Sequence, residues 1–188
     1  GAYGIICPMI STPEDAASLV AACRYPPFGI RSFGPSRGLL YGGGDYVAQA
    51  NQTVMAIPMI ETAEAVDRID EILAVDGIDM IYLGPNDLAF SLEGHVGSSR
   101  PKSEAAIAKV LDRCGFDTFW MAEHHFQPEG YECIPNLIML NVHLAHMTKN
   151  IKFGCGFNIA PMWHPLRLAE DYATADILTN GRVIFGVG

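Results

Sequence analysis

The amino-acid sequence predicts an α/β fold with a parallel sheet, and three observations lead to that prediction. Six short runs rich in β-branched and aromatic residues recur along the 188-residue chain. These runs are almost continuously apolar, which is typical of strands covered on both faces. Helical patterns lie between them, and an alternation of strands with helices favours a parallel sheet.

The predicted strands are spaced so that a helix or a long connection fits between each pair. They cover residues 3–10, 53–60, 78–84, 117–122, 151–157 and 182–187.

Helix start signals follow several of these strands. Thr12 supplies an N-cap and Pro13 a first-turn proline, which predicts a helix to about Cys23. Thr62 caps a second predicted helix, which ends at Asp76-Gly77. Further helices are predicted over residues 103–114, 135–148 and 165–178. Residues 24–44 and 91–102 are predicted to be long loops, which usually have a functional role or make contacts with other parts of a protein.

Composition excludes several classes of protein. Hydrophobic residues make up 49% of the chain, enough for a packed core, and the formal net charge is −9. A nucleic-acid-binding protein would need a basic surface, so that class is excluded, and no apolar run is long enough for a membrane span. The five cysteines lack CxxC spacing, which favours reduced thiols and a cytoplasmic location.

Two predicted strands end in carboxylates. Glu61 follows the second strand and Asp87 closely follows the third. Carboxyl ends of neighbouring parallel strands share one edge of a sheet, so both acids are expected on one rim. Two carboxylates suit a hard divalent cation that takes its other ligands from water and substrate. The alternative is that both acids have structural roles. Glu61 would then stabilise the start of the following helix through the helix dipole, and Asp87 would be the N-cap of a helix.

Residues 1–114 resemble the HpcH/HpaI aldolase and citrate lyase family. The motifs RYPP-x-G-x-R, the strand-end ET and GP-x-DL occur in that order. The resemblance implies a (β/α)₈ barrel enzyme that makes or breaks a carbon–carbon bond beside a 2-oxo acid, through a metal-stabilised pyruvate enolate. It also implies that Glu61 and Asp87 bind Mg²⁺ or Mn²⁺, and that main-chain amides at Gly84 to Asn86 lie near the substrate carboxylate.

The sequence departs from that family in two respects. A glutamine found in some members two residues before the metal-binding glutamate is Met59 here. The family's proton-transferring histidine and carboxylate-binding arginine precede the first strand present here, and neither lies within the 188 residues. The aldolase prediction therefore includes the metal site without the acid–base residues, so activity could be lost through truncation.

A second group of chemically active residues follows the fourth strand, where Glu123, His124 and His125 are consecutive. A carboxylate beside imidazoles suits proton transfer near neutral pH. Metal binding is a weaker alternative, because neighbouring residues of an extended chain point to opposite sides. His143 and His146 share a helix face at i and i+3 and are interpreted as solvated or packed residues.

Residues 115–188 resemble the luciferase-like flavin monooxygenases. The motifs AEHHF and HP-x-R-x-AED occur in the order seen in that family. The resemblance implies a second barrel enzyme that uses FMN, with His124 as its catalytic histidine. It also implies that Gly156 and Phe157 lie against the flavin.

The two resemblances meet at Cys114-Gly115 and predict a hybrid. We expect a partial or hybrid (β/α)₈ TIM barrel of about six βα units, with aldolase-like residues 1–114 and monooxygenase-like residues 115–188 in one compact domain. An incomplete barrel leaves an open edge, which favours a homo-oligomer. The predicted function is a metal-dependent aldolase with a small 2-oxo acid substrate. An FMN-dependent monooxygenase fragment and a non-catalytic scaffold remain as alternatives.

Overall fold

The computed structural model describes residues 2–96, 100–126, 128 and 133–188. The chain forms two compact units, unit 1 over Gly1–Val96 and unit 2 over Gly97–Gly188. Each unit is an α/β structure with a three-stranded parallel sheet. The α/β class and the parallel pairing predicted from the sequence are thereby confirmed.

Unit 1 contains a sheet in the order β1-β2-β3, with helices between and after the strands. The strands are β1 (Gly4–Cys7), β2 (Met55–Ile60) and β3 (Tyr82–Leu83). The helices are α1 (Pro13–Cys23), α2 (Ser36–Gly42), α3 (Tyr46–Thr53), α4 (Ala63–Asp67), α5 (Ile69–Leu73) and α6 (Pro85–Glu93).

The start of α1 forms as the sequence predicts. The Thr12 hydroxyl accepts from the Asp15 amide at 3.1 Å, and the Asp15 carboxylate accepts from the Thr12 amide at 3.0 Å. This reciprocal capping box satisfies two amides that the helix itself leaves unpaired. The Thr12 hydrogen bond is also the main reason that the pKa of Asp15 is lower than usual.

The prediction of a single helix after Thr62 is wrong in one respect. The chain leaves helical geometry at Arg68, which ends α4 and begins α5. Ala65, Val66, Ile69 and Ile72 are nevertheless all buried, as their spacing predicts. The apolar pattern therefore identifies the buried side chains but not the interruption.

A buried arginine fixes the opposite end of β2 from Glu61. Arg24 donates to the carbonyl of Val54, to the carbonyl of Gly77 and to the Asp79 carboxylate. Asp79 also accepts from the Ala56 amide at 2.8 Å. These bonds connect the end of α1 with the start of β2 and with the segment that enters β3.

Unit 2 repeats the pattern with the strand order β4-β5-β6. Its strands are β4 (Thr118–Met121), β5 (Lys152–Cys155) and β6 (Val183–Ile184). Its helices are α7 (Pro101–Arg113), α8 (Leu137–Met147) and α9 (Pro165–Leu178), with a 3₁₀ turn over Ala160–Met162. The core between helices and sheet is made of Leu137, Ile138, Cys155, Leu168, Tyr172 and Ala175.

Helix α7 packs within unit 2. The Asp112 carboxylate accepts from the Lys149 amide at 2.9 Å, and Glu104 lies 3.3 Å from His143 on α8. The units therefore divide at Val96-Gly97, before α7, whereas the two sets of sequence motifs meet after it at Cys114-Gly115.

All six predicted strands occur, although each is shorter than its apolar run. The predicted loop over residues 24–44 is wrong in part, because it contains α2, and α6 extends into the predicted loop over residues 91–102. The five cysteines are free. Within the described part of the chain, no helix has the length and apolarity needed to cross a membrane.

Candidate active-site rims of the two units

The carboxyl ends of β2 and β3 bring Glu61 and Gly84 side by side. The strands pair in parallel with Ile60 opposite Leu83, so the next residue of each strand is Glu61 and Gly84 respectively. The Gly84 amide donates to the Ile60 carbonyl at 3.1 Å, which extends the pairing to this point. We call Glu61, Gly84, Asn86 and Asp87 the rim of unit 1.

The Glu61 side chain is held in a defined position. The residue is 3% exposed, and its Oε1 accepts from the Met9 amide at 2.6 Å. Met9 follows β1, so residues at the ends of all three strands of unit 1 converge here. A Cβ added at Gly84 would lie 2.3 Å from Glu61 Oε2 and 2.9 Å from Glu61 Cβ. Glycine at this position therefore leaves room for the carboxylate.

Asn86 and Asp87 lie in the first turn of α6. Gly84 is the N-cap residue of that helix, so the alternative of Asp87 as the N-cap is wrong. Asp87 is exposed, in contrast to Glu61. The Gly84 amide already donates to the Ile60 carbonyl, and Pro85 has no amide hydrogen. The prediction that main-chain amides of residues 84–86 bind a substrate carboxylate therefore concerns the Asn86 amide.

The rim of unit 1 offers few ligands to a metal ion. Among the described residues, no group of three or more His, Cys, Asp or Glu side chains is arranged to hold a metal. Glu61 follows β2 and Asp87 lies in the first turn of α6, and both supply carboxylate oxygens, the ligand type of a hard cation that keeps open positions for water and a chelating substrate. The donor set fits Mg²⁺ or Mn²⁺ better than zinc, which usually takes three or four protein ligands.

Unit 2 has a more enclosed acidic centre at the carboxyl end of β4. Glu123 is 5% exposed and receives hydrogen bonds from four groups. His125 Nε2 lies 2.5 Å from Oε1, Asn158 Nδ2 donates to Oε2 at 2.7 Å, and the Ile159 amide donates to Oε2 at 3.0 Å. The indole of Trp163 donates to both oxygens, at 3.1 and 3.2 Å. These five residues are called the Glu123 network below.

The network determines the charge of the carboxyl group. Burial raises the pKa of Glu123, but the hydrogen bonds from His125, Asn158, Ile159 and Trp163 together lower it below the ordinary value. Each of these donors stabilises the ionised form, which explains the net direction. Glu123 is therefore a buried carboxylate that stays ionised at neutral pH.

Acid should destabilise unit 2 through this group. Because the folded pKa of Glu123 is lowered, its contribution to stability is fully present above the ordinary glutamate pKa of about 4.3 and is lost as pH falls through the lowered value. The urea midpoint should fall more steeply below about pH 5 in the natural protein than in Glu123→Gln. Parallel pH profiles for the two proteins would contradict this assignment.

A second buried chain of polar groups adjoins the Glu123 network. The Tyr172 hydroxyl donates to Asn158 Oδ1 at 2.5 Å, and Asn141 Nδ2 donates to Cys155 Sγ at 3.3 Å. Burial, more than any other influence, raises the pKa of both Tyr172 and Cys155. Both groups are therefore protonated at neutral pH, so Tyr172 acts as a donor that orients Asn158.

The two histidines next to Glu123 have different environments. His125 pairs with the Glu123 carboxylate, whereas the exposed His124 exchanges main-chain hydrogen bonds with Ile134 at 3.1 Å. Glu123 pairs with the histidine two residues further along the chain, as expected for side chains on the same side of an extended segment. The sequence did not indicate which of the two would pair with the acid.

The other residues predicted for unit 2 lie at the end of β5 and on α8. Phe157 is 59% exposed, and the peptide bond between Gly156 and Phe157 is cis. His143 lies near Glu104, and His146 Nδ1 lies 2.7 Å from the Val142 carbonyl, so these two histidines have separate partners. Sequence inspection missed Asn158, Trp163 and Tyr172 as polar partners, because none of them belongs to a recognisable catalytic motif.

Comparison with known proteins matches both parts of the chain. The family model of HpcH/HpaI aldolase/citrate lyase covers residues 1–127, and that of luciferase-like monooxygenase covers residues 86–188. The chain belongs to the HpcH/HpaI aldolase/citrate lyase family and, in its later part, to the luciferase-like monooxygenases. The two matches overlap over residues 86–127, a stretch that includes α7.

Individual relatives of this HpcH/HpaI family member are aldolases. A hydroxypyruvate/pyruvate aldolase of Rhizorhabdus wittichii is 51% identical over 116 residues, which are 60% of this chain and 46% of the relative. A 5-keto-4-deoxy-D-glucarate aldolase of Shigella boydii is 38% identical over 133 residues, 69% of this chain and 48% of the relative. The chain thus spans about half the length of these curated relatives.

Two solved structures share the fold of this chain. An HpcH/HpaI aldolase/citrate lyase family protein from Burkholderia cenocepacia matches 100% of this chain and 59% of its own, with 26% identity and a TM-score of 0.57. Macrophomate synthase matches 96% of this chain and 60% of its own, with 25% identity and a TM-score of 0.56. Each unit has the parallel βα pattern of this fold type.

Proposed function

We propose that the chain is part of a divalent-metal-dependent aldolase that forms or cleaves a carbon–carbon bond next to a 2-oxo acid. The observation that carries the proposal is the buried Glu61 carboxylate, fixed by the Met9 amide and accommodated by Gly84 at the ends of neighbouring strands. Membership of the aldolase family and the aldolase activity of its relatives support it.

Each residue of the rim of unit 1 has a separate task in this proposal. Glu61 and Asp87 would hold Mg²⁺ or Mn²⁺, which supplies Lewis-acid stabilisation of negative charge on a 2-oxo acid. The Met9 amide keeps Glu61 Oε1 in place, so the orientation of the carboxylate is set before a ligand arrives. Asn86 lies at the amino end of α6, where partial positive charge favours a substrate carboxylate.

Metal binding tests the proposal without depending on turnover. Titration calorimetry with MnCl₂ should give binding to the natural chain and at least a tenfold loss for Glu61→Gln and Asp87→Asn. Glu64→Gln, an exposed acid on α4, is the matched control and should bind as the natural chain does. Absence of binding at millimolar Mn²⁺, or equal binding by all four proteins, would refute the metal site.

Activity is measured separately, by pyruvate release from 4-hydroxy-2-oxo acids with Mn²⁺ or with a chelator. Release that depends on the metal and on Glu61 would establish the reaction. Metal binding without release would favour the alternative of a non-catalytic scaffold that keeps the metal site.

An FMN-dependent monooxygenase is the second candidate, favoured by the luciferase-like match over residues 86–188. In this alternative, the exposed His124 would be the catalytic residue, and Gly156 and Phe157 would contact the flavin. Quenching of FMN fluorescence at micromolar protein would support this candidate, and no quenching at high micromolar FMN would dismiss it.

Location and assembly remain predictions. We expect a cytoplasmic protein, in keeping with its free cysteines, and a homo-oligomer. Light scattering coupled to size-exclusion chromatography tests the second expectation, and a monomer at micromolar concentration would contradict it.

A further inference from the structure

The Met59 side chain lies beside the Glu61 carboxylate in unit 1. A Cβ added at Gly84 would be 2.9 Å from Met59 Cε and 2.3 Å from Glu61 Oε2. Since both atoms are that close to one point, the distance between them cannot exceed the sum of these two values. The methyl group of Met59 is therefore a close neighbour of Glu61 Oε2.

The geometry of β2 explains this placement. Side chains alternate between the two faces of a strand, so Met59 and Glu61 point to the same face. Pro58 and Ile60, which point to the other face, are fully buried, whereas Met59 keeps part of its surface accessible. Met59 therefore lies on the more accessible face of the strand, next to the carboxylate.

The two oxygens of Glu61 have different neighbours. Oε1 accepts from the Met9 amide at 2.6 Å, whereas Oε2 lies on the side of Gly84 and the Met59 methyl group. A methionine thioether is a soft ligand, unsuited to Mg²⁺ or Mn²⁺, which prefer oxygen. Met59 is therefore a contact group next to the proposed metal site and not a further metal ligand.

Met59 presents apolar atoms beside that site. The methionine sulfur is a weak hydrogen-bond acceptor and has no hydrogen to donate. A hydroxyl group placed against the Met59 methyl group would give up its hydrogen bonds to water without replacement. An alkyl group in the same place would instead gain contact with a side chain that adapts readily to its shape.

We propose that Met59 determines substrate specificity at the rim of unit 1, where it favours 2-oxo acids with an alkyl substituent over their hydroxylated counterparts. The inference rests on the proposed function, because Met59 meets a 2-oxo acid only if that acid is held through a metal at Glu61 and Asp87. Apolar pockets discriminate by about 10–200-fold for one methylene group and by about 100-fold against an added hydroxyl. We expect about tenfold here, since Met59 covers one side of the ligand.

Titration calorimetry on the chain saturated with MnCl₂ tests the proposal, with sodium 2-oxobutanoate and sodium hydroxypyruvate as probes. These two acids have the same size and differ only in a methyl group against a hydroxyl group. The natural chain should bind 2-oxobutanoate about tenfold more tightly. Met59→Gln, a polar side chain of similar length, should remove most of this preference and leave Mn²⁺ affinity unchanged. Met55→Gln, a substitution of an exposed methionine at the start of β2, is the matched control and should keep the preference.

Failure of the inference and failure of the proposed function appear in different measurements. Absence of Mn²⁺ binding by the natural chain refutes the metal site, and the inference falls with it. Mn²⁺ binding with equal affinity for the two oxo acids, or with no affinity for either at millimolar concentration, overturns the inference alone. So does a preference that survives in Met59→Gln. If Met59→Gln does not fold, Met59→Ala removes the same contact, and an unchanged preference in that variant is equally decisive.

Discussion

Replacing Glu123 by alanine should destabilise unit 2 by several kcal/mol, because each buried donor left without an acceptor costs about 1–3 kcal/mol. The substitution leaves His125, Asn158, Trp163 and the Ile159 amide without their common acceptor. Asn158 is fully buried, so water cannot easily replace the lost carboxylate there.

Fluorescence-monitored urea unfolding measures this effect directly. Both tryptophans of the chain, Trp120 and Trp163, lie in unit 2, so the signal reports on this unit. Glu123→Gln keeps one acceptor oxygen and should lose less than Glu123→Ala. Glu170→Ala removes only an exposed ion pair on α9 and should change stability by no more than about 0.5 kcal/mol. Equal stability of Glu123→Ala and Glu170→Ala would show that the network does not stabilise the unit.

Replacing Gly84 by alanine should disrupt the rim of unit 1. The φ angle of Gly84 is −97°, which alanine adopts without strain, so the effect is steric. The new methyl group would meet Glu61 Oε2 at 2.3 Å, Glu61 Cβ at 2.9 Å and Met59 Cε at 2.9 Å. Overpacking of this kind costs about 1–3 kcal/mol. Because the Glu61 carboxylate has to move, Mn²⁺ affinity should fall at least tenfold if Glu61 is a ligand.

The control for this variant is Gly34→Ala, where an added Cβ meets no atom within 4 Å. Calorimetry with MnCl₂ and thermal unfolding should be unchanged in the control and altered in Gly84→Ala. Normal Mn²⁺ binding by a stable Gly84→Ala protein would mean that Glu61 does not need its present position, which would weigh against its role as a ligand.

Local chemistry made much of the fold predictable. Thr12 and Thr62 cap helices where the sequence indicates, because a threonine hydroxyl satisfies amides at a helix start in any tertiary context. Apolar runs located all six strands, since strands covered on both faces need continuous apolar residues. The parallel pairing of β2 with β3 agrees with the expectation that their carboxyl ends share one edge, whereas the meeting of Glu61 with Asp87 stays a prediction.

What the sequence could not show depends on contacts between distant residues. Helix α2 lies in a stretch rich in glycine, where local propensity argues against a helix, and Gly38 packs against the Tyr46 ring on α3. The choice of His125 as the partner of Glu123 is likewise set by residues about 35 positions further along the chain, Asn158 and Trp163. Such partners leave no local periodic signal.

The packing of α7 decides where the chain can be divided for separate study. A cut at Cys114-Gly115, where the sequence motifs change, would remove the Asp112 carboxylate that receives the Lys149 amide and the Glu104 carboxylate beside His143. It would also uncover the α8 surface that α7 now covers. When the chain is expressed as two pieces, for isotope labelling or for reassembly, the second piece should therefore begin at Gly97. Helix α7 then stays in the same piece as the residues it packs against.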